Sequence, residues 1–200
     1  MAFTTVVDRA VGYAPVEADW DTYIKNNMNS GVWVQLANST LTVDTASIDF
    51  TSISGSWAHL MLEVYARATT VASSVNLRLR INNNSAANYD FQVLYGQLAT
   101  AVAAEAFADA SVLLGVIPAN TAPANLFSVS TTMIPHYANS ANNKVVIDAN
   151  ASKLGTSSGN MVIRNTAGFW RSNAAITRLT ILPASGNLAA GSRATLYGLP

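Results

Sequence analysis

Apolar and polar residues alternate along much of the chain with the period of two that is typical of β-strands. The clearest segment, residues 75–81, alternates four apolar with three polar residues: Val75, Asn76, Leu77, Arg78, Leu79, Arg80 and Ile81. Residues 59–68 alternate in the same way. Strands with one apolar and one polar face are typical of an antiparallel sheet that buries one side.

Shorter segments of the same kind predict further strands. In chain order they are residues 32–36, 41–50 (interrupted near Asp44), 89–95, 112–117, 126–134, 144–149, 161–163, 175–182 and 194–199. Pro118, Pro123, Pro135 and Pro183 fall at strand ends, where a missing N–H is harmless. Many short strands separated by Gly, Pro and Asn turns predict an all-β, antiparallel sandwich, jelly-roll-like, over residues 32–200.

One segment inside this domain does not alternate. Residues 99–110 are rich in alanine and contain Glu105 and Asp109. Alanine has the highest helix propensity, so this composition allows a short helix. A long loop between strands fits as well, and we expect one of the two.

The first thirty-one residues predict an arm and a helix. Pro15 suits the first turn of a helix, and Glu17 and Asp19 suit its N-terminus. An apolar stripe at helical spacing follows, and Asn29 to Gly31 end it; the stripe consists of Trp20, Tyr23, Ile24 and Met28. Residues 1–14 carry a few apolar side chains without a core of their own, and they predict an extended arm.

This N-terminal segment needs a surface to bind. A helix of about a dozen residues is only marginally stable alone. We therefore predict that residues 1–31 form a docking segment, and the expected interface residues are Phe3, Val6, Val7, Trp20, Tyr23 and Ile24. The alternative is that arm and helix fold back onto the sandwich of the same chain.

Composition narrows the possible functions. The chain has 200 residues, of which 11% are charged and 50% hydrophobic, with a formal net charge of zero and no cysteine. Soluble domains usually carry about 25% charged residues. Ser, Thr and Asn replace the missing charges, which suits a protein packed against its own copies or a larger assembly. Without a basic stripe, binding to nucleic acid is not expected.

Targeting and membrane signals are also missing from the sequence. No basic segment followed by an apolar run opens the chain, which predicts no signal peptide. No apolar run approaches the roughly 18 residues of a membrane helix, so we expect no membrane partner.

No constellation in the sequence predicts catalysis or metal binding. His59 and His136 are the only histidines and lie far apart in the chain. No Gly-x-Ser-x-Gly elbow, calcium loop, phosphate-binding loop or pair of neighbouring acids for glycoside hydrolysis stands out. We therefore expect no enzyme, no metal and no cofactor.

Aromatic residues leave one alternative open. Trp57, Trp170, Tyr89, Tyr95, Tyr137 and Tyr197 could line a sugar-binding surface, because aromatic faces stack on sugar rings. Of these, Trp57, Tyr89 and Tyr137 are the candidates for facing a ligand. The favoured interpretation is that such rings pack in the core or at a subunit interface.

Several segments resemble a family of small virion proteins of tailed phages and prophages. Chains of this family close with a Gly-Ser-x-x-x-Leu-Tyr-Gly pattern, which here runs from Gly191 to Gly198, after Phe169-Trp170-Arg171-Ser172 and Ala175-Ile176-Thr177-Arg178-Leu179. Residues 48–57 and the strand 60–67 resemble the family's opening: a Phe, a Gly-x-aromatic turn, then a strand ending in Arg. Residues 18–28 resemble a helical segment near the N-terminus of many phage head and tail proteins.

The resemblance implies a virion component, made in the bacterial cytoplasm, without catalytic residues. Together with the small size and low charge, it leads us to expect a capsid decoration (cement) protein. We expect a homo-oligomer, with a trimer favoured, bound to other virion proteins such as the major capsid protein. The alternative is a tail-associated protein that binds a receptor or carbohydrate.

Overall fold

The computed structural model describes residues 32–157 and 159–200, and every regular element in this part is a β-strand. The twelve strands are β1 (Val34–Thr40), β2 (Ile48–Phe50), β3 (His59–Ala66), β4 (Ser74–Ile81), β5 (Tyr89–Gln97), β6 (Thr100–Asp109), β7 (Val112–Pro118), β8 (Ser128–Pro135), β9 (Lys144–Lys153), β10 (Met161–Trp170), β11 (Leu179–Pro183) and β12 (Arg193–Leu199). All neighbouring strands are antiparallel, and they form two sheets. The predicted all-β antiparallel sandwich is confirmed.

The strand order is that of a jelly roll with two added hairpins. The larger sheet has eight strands in the order β1-β12-β3-β8-β9-β10-β5-β6, and the smaller has four in the order β2-β11-β4-β7. Without the hairpins β5–β6 and β9–β10, each sheet would have four strands, arranged as in the jelly roll. The hairpins lie side by side, because β10 pairs with β5, and they extend only the larger sheet.

The core lies between the two sheets. Leu60 and Leu62 of β3, and Leu77 and Leu79 of β4, are fully buried. Each such side chain contributes about 1.5–3 kcal/mol by leaving water. The clear alternation of β3 and β4 in the sequence thus corresponds to strands that bury one face, as predicted.

The prediction for residues 99–110 is wrong. Thr100–Asp109 is neither helix nor loop but the edge strand β6, paired with β5 along its length. Pairing with β5 supplies a partner for the backbone, and this tertiary contact outweighs the helix propensity of alanine.

Other boundaries differ by a few residues for similar reasons. The strand predicted at 161–163 continues to Trp170, because β10 is paired on both sides, with β9 and β5. Of the strand predicted at 41–50, only Ile48–Phe50 forms β2. Pro118, Pro135 and Pro183 are the last residues of β7, β8 and β11, as expected.

The predicted docking segment lies outside the described residues. This applies to the arm, to the helix, and to all six expected interface residues: Phe3, Val6, Val7, Trp20, Tyr23 and Ile24. Their role therefore stays a prediction.

Candidate functional site

The side of the eight-stranded sheet that faces away from the smaller sheet is a candidate docking surface. We call it the outer face, and it is formed by the outward residues of β3, β8, β9, β10 and β5. The strand registers place one row of side chains across all five strands: Met61, Met133, Ile147, Ala167 and Gln92. The next row consists of Glu63, Thr131, Ala149, Asn165 and Leu94.

The outer face is mostly apolar, and its two central rows contain one charged residue, Glu63. Leu94 is 60% exposed, Ile147 53% and Ile163 58%. Trp33, just before β1, lines a shallow depression of about 530 Å³ on this face together with Met61 and Met133. Proteins rarely leave a continuous apolar patch of this kind in water, and such patches mark interaction sites.

In β8 and β9 the buried face is mostly polar and the exposed face mostly apolar, which is the reverse of the usual arrangement. Most of their outward residues are apolar or small, whereas most inward, buried positions carry polar side chains, among them Ser128, Ser130, Thr132, Asp148, Asn150 and Ser152. A buried polar group is costly unless it is hydrogen-bonded. Neither the outer face nor this buried polar cluster could be predicted from the sequence, because alternation alone does not tell which side of a strand faces the core.

The buried polar cluster holds β7 against β9. The Asn150 side chain accepts a hydrogen bond from the backbone N–H of Val116 at 3.1 Å and donates one to the carbonyl oxygen of Val129 at 3.0 Å. Gly115 has φ +146°, and a β-carbon there would lie 2.3 Å from Cγ of Asn150. Only glycine therefore permits this close approach of β7 to β9.

Asp148 is the one carboxyl group inside this cluster, and no cationic side chain of the described residues forms an ion pair with it. Ser130 Oγ lies 2.8 Å from both carboxyl oxygens, and Thr132 Oγ1 lies 2.6 Å from Oδ1. Burial raises the pKa of Asp148 to about 7, although the hydrogen bonds from Thr132 and Ser130 oppose this rise. Because Ser130 Oγ also lies 3.1 Å from the carbonyl oxygen of Leu114, one hydroxyl proton cannot serve all three acceptors.

A protonated Asp148 completes the hydrogen-bond chain. In that state the carboxyl proton would be donated to Ser130 Oγ, and the Ser130 proton to the carbonyl oxygen of Leu114. The geometry therefore accommodates a neutral acid.

Two of the three aromatic residues proposed to face a ligand do not do so. Tyr89 and Tyr137 are fully buried in the core. Tyr89 Oη donates to the carbonyl oxygen of Ile81 or Asn84, and burial raises its pKa to about 12. The Tyr137 hydroxyl donates to the carbonyl oxygen of Ser54. Both rings pack in the core between the sheets, and both hydroxyl groups donate hydrogen bonds to backbone carbonyl oxygens.

Trp57, the third of these residues, is half-buried and packs on the last strand. A β-carbon at position 198 would lie 2.6 Å from Cγ and Cδ2 of its indole ring. Trp57 of the Gly-x-aromatic turn thus packs against Gly198 of the closing Leu-Tyr-Gly segment. This contact requires glycine at position 198, because any side chain there would overlap the indole ring.

The ionisable side chains form no metal-binding group in the described part of the chain. His59 and His136, distant in sequence, touch with ring centroids 4.8 Å apart, and His59 Nδ1 accepts a hydrogen bond from the backbone N–H of His136. Among residues 32–157 and 159–200, no three His, Asp or Glu side chains are placed to hold a metal ion. Three carboxylates form ion pairs with arginine, namely Asp109 with Arg78, Asp90 with Arg171 and Asp49 with Arg178.

Comparison of the chain with protein-family models and with curated proteins gave no match. In the described ranges, no helix has the length and apolar character needed to cross a membrane.

Proposed function

We propose that this chain is a structural protein of a tailed-phage particle, and specifically a capsid decoration protein that acts by packing against its neighbours. The observation that carries the proposal is the outer face, a broad apolar surface on a rigid sheet. The resemblance to small virion proteins supports the same function, as does the low charge of the whole chain.

We further propose that a second copy of this chain covers the outer face. Five strands about 4.8 Å apart and about 30 Å long present roughly 700 Å², close to the 800 Å² that each partner contributes to a stable interface. A strongly charged face would be costly to cover, whereas the central rows of the outer face contain only Glu63. We expect the copies to form a trimer, in which the outer face of each copy contacts a different surface of the next.

The oligomeric state tests the packing of the outer face. Light scattering after size exclusion should give the mass of a trimer for the unchanged protein. Ile147→Lys places a charge in the centre of the face, on a side chain that is already exposed, and should yield monomers of unchanged fold. Val71→Lys is the matched control, because Val71 is 83% exposed but lies in the loop between β3 and β4. A monomeric unchanged protein at tens of micromolar, or an Ile147→Lys trimer, would contradict this packing.

The place in the particle is tested by copy number. Quantitative mass spectrometry of purified particles should find hundreds of copies, as a head shell requires. A few to about a dozen copies would reject decoration in favour of a tail position, where receptor or carbohydrate binding becomes the leading function. A glycan array then tests that alternative. Tyr89 and Tyr137 are buried and would not contact such a ligand, so Trp57 is the remaining candidate.

The docking segment is tested by deletion. A chain without residues 1–31 should fail to bind particles that lack the protein, whereas the full chain binds them. Unchanged binding would show that attachment does not need this segment.

A further inference from the structure

A groove runs along the open side of the sandwich, between the edge strands of the two sheets. Among the described residues, β1 has a hydrogen-bonded neighbour only on its β12 side, and β2 has one only on its β11 side. The groove has a volume of about 650 Å³, and its two walls are consecutive stretches of chain, residues 35–39 and residues 49–54. Consecutive residues on both walls mean that backbone, and not only side chains, lines the groove.

The β1 wall offers backbone groups that pair with no described strand. A strand that is paired on one side leaves the N–H and C=O of every second residue directed away from its partner. An extended peptide satisfies such groups by adding a strand, and pockets for its alternate side chains then give specificity. The β1 wall of five residues is about 17 Å long, close to the length of an ordinary strand. The other wall continues beyond β2 as irregular chain, with Ser52 at φ +55°.

The floor of the groove is apolar, and its walls carry little charge. Leu36, Phe50 and Leu196 line it, with Trp57 beside them. Asp49 is the one charged residue of the lining, and Arg178 Nη2 binds its carboxylate at 2.7 Å. Burial would raise the pKa of Asp49, but hydrogen bonds from Thr180, Ser47 and Arg178 prevail and hold it below its ordinary value. The groove therefore suits an uncharged segment with apolar side chains.

We propose that residues 1–14 of the same chain occupy this groove as an added strand, which leaves residues 15–31 as the part of the docking segment that contacts the particle. The first seven of these residues are uncharged and include Phe3, Val6 and Val7. The described chain starts just ahead of β1, which is one wall of the groove, so the segment is tethered beside its site. A short tether gives an effective concentration of about 1 mM, well above that of a free competitor at micromolar concentration.

The connecting residues are long enough for this arrangement. Residues 15–31 span about 25 Å as a helix and up to about 56 Å when extended, which exceeds the length of either wall. The proposal does not rest on the packing of the outer face, which is on another side of the larger sheet.

Disulfide trapping in the full chain tests the proposal, because the native chain has no cysteine. Asn38→Cys on the groove wall is combined with a single cysteine at each of positions 3–11 in turn. The control is Leu98→Cys at the β5–β6 turn, which is 77% exposed and lies at the opposite edge of the larger sheet. All variants also carry Ile147→Lys, which should keep the chains monomeric. Contact between copies through the outer face then does not promote disulfides between chains.

We expect intramolecular disulfides with Asn38→Cys at alternate arm positions and none above background with Leu98→Cys. Deletion of residues 1–14 should also speed hydrogen exchange of the amides in 35–39 and 49–54 by on the order of tenfold, and a synthetic peptide of residues 1–14 should reverse this.

Three outcomes would overturn the proposal. Equal disulfide trapping with Asn38→Cys and with Leu98→Cys, together with unchanged hydrogen exchange after deletion of residues 1–14, would show that these residues do not occupy the groove. Disulfides found only between two chains would assign the site to the arm of another copy. Protection of the same amides by a glycan, with loss of that protection in Trp57→Ala, would make the groove a saccharide site.

Discussion

Replacing Asp148 by asparagine is expected to stabilise the protein at neutral and alkaline pH. The carboxyl group is almost fully buried, at 1% exposure, and its neighbours are the hydroxyl groups of Ser130 and Thr132. An asparagine amide can donate to Ser130 Oγ, just as a protonated carboxyl does, and its oxygen can accept from Thr132. The variant therefore keeps the hydrogen-bond chain and removes the charge that forms at high pH.

The magnitude follows from the difference between the two pKa values of this group. The pKa is about 7 in the folded protein, against an ordinary value of 3.8. Between these values the folded protein binds more protons than the unfolded chain, so its free energy of unfolding falls as the pH rises. At about 1.4 kcal/mol for each pKa unit, the loss reaches at most about 4 kcal/mol above pH 7 and is small at pH 4.

Urea denaturation, followed by tryptophan fluorescence at pH 4, 5, 6, 7 and 8, measures the effect. The stability of Asp148→Asn relative to the unchanged protein should grow with pH over this range and level off above pH 7. Asp49→Asn is the control with the opposite sign, because the lowered pKa of Asp49 means that its ionised form stabilises the fold. That variant should lose about 1 kcal/mol or less at neutral pH, as for a partly exposed ion pair. If Asp148→Asn is less stable than the unchanged protein at pH 8, or the difference does not depend on pH, the neutral-acid argument is wrong.

Two further expectations concern glycine contacts, and both are measured by urea denaturation. Gly198→Ala should destabilise the fold by about 1–3 kcal/mol, because its β-carbon overlaps the Trp57 indole, and a shift in tryptophan emission should accompany the loss. Gly115→Ala should cost about 3 kcal/mol or more, since it adds strain at φ +146° to overlap with Asn150. Gly55→Ala is the control for both, with its β-carbon at an ordinary 3.5 Å from Ala138, and a loss equal to theirs would show that the overlaps do not determine the cost.

The fold could be predicted from the sequence to the extent that hydropathy marks the buried face. In β3 and β4 the apolar residues point inward, and alternation was sufficient there. In β8 and β9 the same alternation is present, but the inward positions hold hydroxyl, amide and carboxyl groups that bind β7. A local pattern carries no information about such a distant partner, so the outer face could not be assigned.

The candidate sites depend even more on contacts that only the folded chain reveals. β6 is a strand because β5 lies beside it, and no property of its alanines indicates this. The contact between Trp57 and Gly198 joins two segments that the sequence analysis had noted separately, yet nothing in either segment points to the other. Burial of Tyr89 and Tyr137 likewise follows from where the sheets meet, since an aromatic residue next to a turn is equally suited to a core or to a surface.

The two added hairpins have a consequence for how such a protein diversifies. β9, β10 and β5, which supply most of the outer face, come from these hairpins, whereas the eight jelly-roll strands supply the frame. Under the proposed function, three of the five strands that would contact a neighbour belong to the hairpins. Substitutions in the hairpins would then change the choice of neighbour while most of the frame is inherited unchanged.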